Sequence, residues 1–181
     1  QGTIYKERTN IGNAINTGIE SFVEIDLLRM LSDSTKNHLN LFVNAAYIDA
    51  HYVDSKESNY LGKKVEYVSP FIFKTGLKFK TDKFSAQIQL SYNSKQFSDA
   101  TNSVVPSGDA LIGEVPAYTV IDFSTKYSFN KSFQLEAGVN NLTNQQYFTR
   151  RALSYPGPGI IPSDGISFYF TLQYQFSLKK R

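Results

Sequence analysis

The sequence is short of several residues on which many functions rest. It has no cysteine, no tryptophan, one methionine and two histidines in 181 residues. The missing cysteine rules out a disulfide scaffold and leaves the redox compartment open. No stretch approaches the roughly 20 apolar residues of a membrane-crossing helix. That does not exclude a membrane, because a barrel strand is only half apolar and gives a weak signal per segment. The net charge of +3 is too small to point to nucleic acid, and basic residues cluster only at Lys179-Lys180-Arg181.

Charge is also missing from one face of a repeated pattern. The segments Ala14–Leu28, Leu39–Ile48, Phe71–Lys80, Phe84–Tyr92, Thr119–Phe129, Phe133–Asn140 and Ile166–Phe176 alternate residue by residue. Strand side chains point to opposite faces in turn, so each segment divides into two sets. One set runs Ile15, Thr17, Ile19, Ser21, Val23, Ile25 in the first segment and Phe84, Ala86, Ile88, Leu90, Tyr92 in the fourth, and is uncharged in all seven. The other holds Glu20, Glu24, Asp26, Lys74, Lys78, Lys80, Asp122, Lys126 and Glu136 among Asn, Gln and Ser. A Lys or Arg facing lipid at the bilayer midplane costs about 2–4 kcal/mol, a penalty that would select such a face.

The connections point the same way. Ser32–Asn37, Thr81–Lys83 and Asn130–Ser132 read as tight turns, whereas Ala50–Ser69, Asn93–Ala117 and Asn141–Gly165 are long. All long connections fall at one end of an up-and-down sheet, as in outer-membrane barrels. Aromatic residues band both ends: Phe79, Phe84, Phe129, Phe133, Tyr174 and Phe176 at the short turns, Tyr47, Phe71, Tyr92 and Phe168 opposite. A soluble sandwich or lipocalin-like barrel also alternates, but it rarely keeps every long loop at one end. The expected fold is all-β: an antiparallel up-and-down transmembrane β-barrel, partial, with about seven strands. Bacterial single-chain barrels have an even strand number, and open edges in lipid leave costly unpaired backbone groups. Residues 1–181 are therefore expected to be part of a larger barrel, ahead of a small barrel with one strand unrecognised or an oligomer sharing strands.

Particular words of the sequence carry a resemblance. They are Arg8-Thr9-Asn10-Ile11-Gly12-Asn13, Gly18-Ile19-Glu20, Glu66-Tyr67-Val68-Ser69-Pro70 and Val115-Pro116-Ala117-Tyr118. More specific are Gly138-Val139-Asn140-Asn141-Leu142-Thr143-Asn144 with Tyr147-Phe148, then Tyr155-Pro156-Gly157-Pro158-Gly159 and the aromatic strand ending at Phe176. In this order, over residues 8–176, they resemble the C-terminal barrel portion of TonB-dependent outer-membrane receptors, of the ferric-citrate or siderophore type found in Bacteroidota. The resemblance implies a 22-stranded, plugged barrel in a Gram-negative outer membrane. It implies import of a ferric chelate or similar scarce nutrient, driven by TonB acting on a plug that residues 1–181 lack. Such receptors usually end on the terminal aromatic residue, whereas Ser177–Arg181 continues past it; a short periplasmic tail is the expectation.

Residues for catalysis are sparse. His38 lies beside a tight turn, and His51, at the start of a long connection, has Asp49 and Asp54 nearby. Two isolated histidines without further ligands are read as surface residues rather than a metal or acid–base site. No enzyme activity and no cofactor are expected. For ligand binding the best candidates are Arg150 and Arg151 with Tyr147 and Tyr155, which offer cationic forks and aromatic faces to an anionic chelate. Pairing of these arginines with loop acids or lipopolysaccharide phosphate is the competing expectation. The inward charges can contact a plug or simply solvate a wide lumen. The expected partners are a ferric chelate or other small nutrient, outer-membrane lipid, and TonB through the plug, with no nucleic acid. A passive porin, an outer-membrane enzyme and a soluble β-binding protein are the alternative classes.

Overall fold

A computed structural model of the chain describes residues 10–32, 36–152 and 159–176. The strands in chain order are β1 (Gly12–Asp26), β2 (His38–Ser55), β3 (Phe71–Lys80), β4 (Phe84–Asn93), β5 (Gln96–Phe97), β6 (Glu114–Val115), β7 (Tyr118–Ser128), β8 (Phe133–Asn140), β9 (Phe148–Ala152), β10 (Gly159–Pro162) and β11 (Ser167–Tyr174). A five-residue helix, α1 (Leu27–Leu31), follows β1. Seven strands form one unclosed sheet in the order β1-β2-β3-β4-β7-β8-β11, every pair antiparallel. The partial antiparallel barrel expected from the alternation is the fold observed.

Register shows why the alternation works. Ile25, Leu41, Leu77, Ile88, Phe123, Val139 and Phe168 are successive cross-strand partners and form one uncharged row across all seven strands. One residue along, Asp26, Asn40, Lys78, Gln87, Ser124, Gly138 and Tyr169 form the matching row on the other face. A slip of one residue would exchange the two faces entirely, so one wet face and one oily face together fix the register. Among the described residues, the strands of the large sheet contact their sheet neighbours, β2 also meets α1 and the turn at Ser58–Tyr60, and no second sheet makes a substantial contact with the wall. Leu77, Ile88 and Phe123 lie on strands with a neighbour on each side and are still 40, 42 and 37% exposed.

The strand ends depart from expectation in two places. The first strand stops at Asp26, because its carboxylate accepts the Arg29 amide at 3.3 Å and caps α1, while His38 Nδ1 lies 2.6 Å away. Leu27 and Leu28 are therefore helical, and only part of the Ser32–Asn37 turn lies within the described residues. The second strand continues to Ser55, so His51 sits in β2 rather than at a loop start. At 18 residues β2 exceeds the roughly 9–11 needed to cross a bilayer. Its outer row becomes charged just past Tyr47, where Asp49 pairs with Lys64 and lies 3.1 Å from His51. That change marks the upper edge of the apolar belt. Asp54 instead accepts from Asn13 Nδ2, at 3.3 Å.

The inner wall also holds rings that the simple polar reading omitted. Phe42 pairs with Gly76 and Tyr169 with Gly138, and each ring fills the space a glycine side chain would need. A Cβ at Gly76 would lie 2.3 Å from the Ile88 carbonyl oxygen and 2.8 Å from the Phe42 ring. Because the nearer atom is backbone, rotating Phe42 cannot relieve the contact. Gly76→Val is expected to abolish the folded, heat-modifiable form of the full-length barrel on semi-native gels. Normal yield of that form would contradict this packing.

At the short-turn end, local side chains close the hairpins. Thr81 Oγ1 accepts the Phe84 amide at 3.0 Å, and Asn130 Oδ1 accepts the Ser132 and Phe133 amides at 2.8 and 2.9 Å. These are the side-chain-mimicked turns that Thr and Asn favour.

Candidate functional site: a locked cluster of long loops

The tightest packing in the molecule lies above the barrel wall. Ala50, Tyr52, Ser69, Ala100, Val115, Asn141, Arg151 and Ala152 are buried, and all lie at the long-loop end. A barrel wall this wide has no interior of its own to fill, so the loops supply the core.

The long connections are not structureless. The second carries the ribbon β5-β6 and the third the ribbon β9-β10. The first is bound to the second by backbone and amide bonds. The Tyr67 amide donates to Phe97 O at 2.8 Å. Asn102 accepts from the Lys64 amide at 2.6 Å and donates back to Lys64 O at 2.8 Å. Tyr67 and Asn102 both have positive φ, near 57°. Asparagine enters that region readily, but tyrosine does so only when its surroundings hold it there.

Arg151 joins all three loops. It is 5% exposed, and its Nη1 and Nη2 donate to Ala110 O and Glu114 O, both at 2.8 Å. Its guanidinium lies 5.1 Å from the centre of the Phe148 ring, and its own carbonyl accepts from Tyr67 Oη at 3.3 Å. Glu114 in turn pairs with Lys95 at 2.9 Å. Within the same loop Asp109 accepts from Ser107 Oγ at 2.6 Å and from the Leu111 amide at 3.2 Å, which holds its carboxyl below the usual carboxylate range.

Asn141 and Asn144 explain the most specific word of the sequence. Both take φ of 50°. Asn141, 3% exposed, donates to Gln145 O and Asp164 O, and its amide bonds the Asp122 carboxylate at 2.9 Å. Asn144 Oδ1 accepts the Ile166 amide at 3.0 Å. The two asparagines fold the third loop back onto β7 and the start of β11. Beneath this fold an open polar hollow of about 540 Å³ is lined by Asp122, Asn140, Tyr147, Ser163, Asp164 and Ser167.

Of the four residues singled out for ligand binding, the three described ones do not converge. Arg150 and Arg151 are neighbours on β9 and point to opposite sides, Arg150 exposed and Arg151 buried. Arg151 gives its donors to loop carbonyls rather than to solvent. Tyr147 lines the hollow and stacks on Tyr118, ring centres 4.5 Å apart. Tyr155 lies outside the described residues, as do Leu153–Pro158 generally and the tail Ser177–Arg181. Sequence reasoning missed Tyr67, Asn102 and Asn141 as loop-locking residues. Asparagine, which enters the positive-φ region more readily than other non-glycine residues, was the available signal for two of them. No group of three or more metal-ligating His, Cys, Asp or Glu side chains occurs among the described residues.

An unclosed antiparallel wall with an uncovered apolar face, a polar inner face and a consolidated loop end defines a segment of a transmembrane β-barrel. The model of the TonB dependent receptor-like β-barrel family matches residues 2–142, and the chain belongs to that family. Its fold is similar to several solved receptors. The unliganded ferric citrate transporter FecA superposes with a TM-score of 0.81 at 22% identity, over 90% of this chain and 24% of that one. The ferric yersiniabactin uptake receptor FyuA from Yersinia pestis gives 0.71 at 16% identity, covering 93% and 24%. The copper transporter OprC gives 0.69 at 18% identity, with the same coverage of 93% and 24%. The chain spans about a quarter of the length of these proteins. The matched proteins are receptors and transporters rather than enzymes.

Proposed function

We propose that residues 1–181 are the C-terminal barrel portion of an outer-membrane receptor that imports a ferric chelate, citrate- or siderophore-like, or a similar scarce nutrient. A Gram-negative outer membrane, of a Bacteroidota-like source, is the site of action. TonB supplies the energy through a plug domain outside these residues. The observation that carries this reading is the uncharged face left bare of protein across seven strands, beneath loops consolidated at one end. A soluble carrier would bury that face. A passive pore has no need of a packed, cross-bonded loop cluster. The matches to a ferric citrate transporter and a ferric yersiniabactin receptor support the choice of ligand class.

In this reading Arg150, Tyr147 and Tyr155 meet the ligand and Arg151 holds the loops that present them. Arg150 is exposed on β9, and Tyr147 borders the polar hollow. Removing one charge-assisted contact costs about 1.5–3 kcal/mol, roughly ten- to a hundredfold in affinity. Arg150→Ala in the full-length receptor should therefore weaken binding of radiolabelled ferric citrate to de-energised cells by that order. Unchanged affinity would remove Arg150 from the ligand site.

A further inference from the structure

The uncharged side of the wall is not evenly filled. Across β4, β7, β8 and β11 one row reads Ile88, Phe123, Val139 and Phe168. A second row, nearer the short turns, reads Phe84, Tyr127, Leu135 and Leu172. Between them run Ala86, Thr125, Ala137 and Phe170, so side chains shrink on three adjoining strands and grow again on the fourth. An apolar groove of about 400 Å³ results, with Thr125, Ala137 and Val139 as its floor beside the rings of Phe123, Phe168 and Phe170. The one polar floor group is satisfied within the wall, because Thr125 Oγ1 donates to Ser85 O at 3.3 Å.

Closing the barrel does not fill this groove. Its floor lies on β7 and β8, each of which has a strand on both sides. A strand added beyond β11 would stand two strand spacings from β8, about 10 Å away, with the Phe168 and Phe170 rings between. An empty gap is unfavourable, since its lining forfeits dispersion contacts. The groove is continuous with the belt that hydrocarbon covers, and at ~30 Å³ per methylene, close to the share of one water in the liquid, it has room for on the order of ten.

Its level selects the leaflet. Ala137 lies four residues along β8 from Phe133, in the aromatic band at the short-turn interface. That is about 13 Å along the strand and roughly 10 Å in height at the usual barrel tilt. One leaflet supplies roughly 15 Å of hydrocarbon, so the groove falls in the leaflet at the short-turn end, which is the periplasmic one. Below it the Asn130–Ser132 turn joins β7 to β8 and carries exposed Lys131 at headgroup level. Asp82 and Lys83 of the neighbouring turn border the lumen side instead. An ammonium at that height favours an anionic headgroup.

We propose that the groove seats one acyl chain of an anionic glycerophospholipid in the periplasmic leaflet, with Lys131 at its phosphate. Lipid elsewhere on the belt exchanges freely, since hydrocarbon gains little by leaving hydrocarbon for an apolar side chain. Shape and the headgroup contact together give this one position its preference. The seat is on the outside of the wall and stands whether or not the loops bind a chelate.

The test uses the full-length receptor in phosphatidylcholine bilayers with increasing fractions of a phosphatidylglycerol that carries a diazirine midway along one acyl chain. Photocrosslinks are located by mass spectrometry. At Thr125, Ala137 and Val139 they should saturate at low probe fractions. At Leu41 and Leu77, in the same row as Val139 but on β2 and β3, they should rise in proportion to the probe. Ala137→Phe fills the floor and should abolish the saturable part at Thr125 and Val139, with Leu77 unchanged. Lys131→Gln should move half-saturation to higher probe fractions, and Lys131→Arg should keep it. Proportional crosslinking at the groove as well as at Leu77 would leave only bulk lipid there and overturns the proposal. So does saturation that Ala137→Phe or Lys131→Gln leaves unaltered. Exclusion of the probe from the groove overturns it too, since another protein surface would then occupy the site. Saturation is read on the unaltered receptor, so the outcome does not depend on a variant's folding.

Discussion

Ile88→Arg in a full-length receptor should cripple insertion into the outer membrane, while Gln87→Arg should be tolerated. The two positions are adjacent on β4 and differ only in the face they occupy. Ile88 lies between Leu77 and Phe123 in the uncharged row, 42% exposed with no protein over it. Gln87 lies between Lys78 and Ser124 on the polar wall. An arginine near the bilayer midplane costs about 2–4 kcal/mol, and Ile88 lies at the middle of the ten-residue β4, far from either interface. That cost acts on assembly as well as on the final state, so the yield of folded receptor in outer-membrane fractions is the measure. Equal yields for the two variants would contradict the division of faces.

Arg151→Met is expected to loosen the loops while leaving the barrel wall intact. The substitution keeps an unbranched chain over Phe148 but removes both donors to Ala110 O and Glu114 O. A carbonyl left without a donor costs about 1–3 kcal/mol when fully buried, and less at these part-buried sites. Arg151→Lys should rescue little, because an ammonium cannot span two carbonyls as a guanidinium does. Hydrogen exchange of a full-length receptor should then rise in peptides covering residues 107–115 and around Tyr67, with β3, β4 and β7 unchanged. Arg150→Met is the internal control, since its exposed side chain bonds to none of these groups and should leave exchange as in the parent. Faster exchange throughout the wall would mean that Arg151 supports the barrel rather than the loops.

The wall was legible because its physics is local and repetitive. A period of two with one uncharged face needs only the residue order, and the register follows once one face must be dry. Thus Leu77 beside Ile88 and Lys78 beside Gln87 could be inferred strand by strand. The helix after Asp26 was not legible, because it depends on a carboxylate choosing the Arg29 amide over continuation of the ladder. The length of β2 was missed for a related reason: past Tyr47 the alternation loses its apolar half as the strand leaves the belt, although pairing with β1 continues to Ser55.

The loop cluster was the least legible part. Arg150 and Arg151 read as cationic forks offered to one ligand because sequence adjacency suggests proximity, but a strand sends neighbours to opposite sides. Arg151's partners, Ala110 and Glu114, lie about 40 residues earlier and act through backbone carbonyls. No side-chain pattern announces a backbone acceptor. Asn141 was visible within a specific word, yet its work of bridging Gln145, Asp164 and Asp122 appears only when three chain segments meet.

The absence of cysteine from residues 1–181 makes the central claim directly measurable. Single substitutions Leu77→Cys, Ile88→Cys and Phe123→Cys, with Lys78→Cys, Gln87→Cys and Ser124→Cys as their inward neighbours, can each carry one fluorophore in a full-length receptor free of other reactive thiols. In bilayers containing brominated acyl chains, strong quenching at the first three positions and none at the second three is the predicted result. Equal quenching on both faces, or quenching confined to the charged one, would mean that hydrocarbon does not touch the uncharged rows.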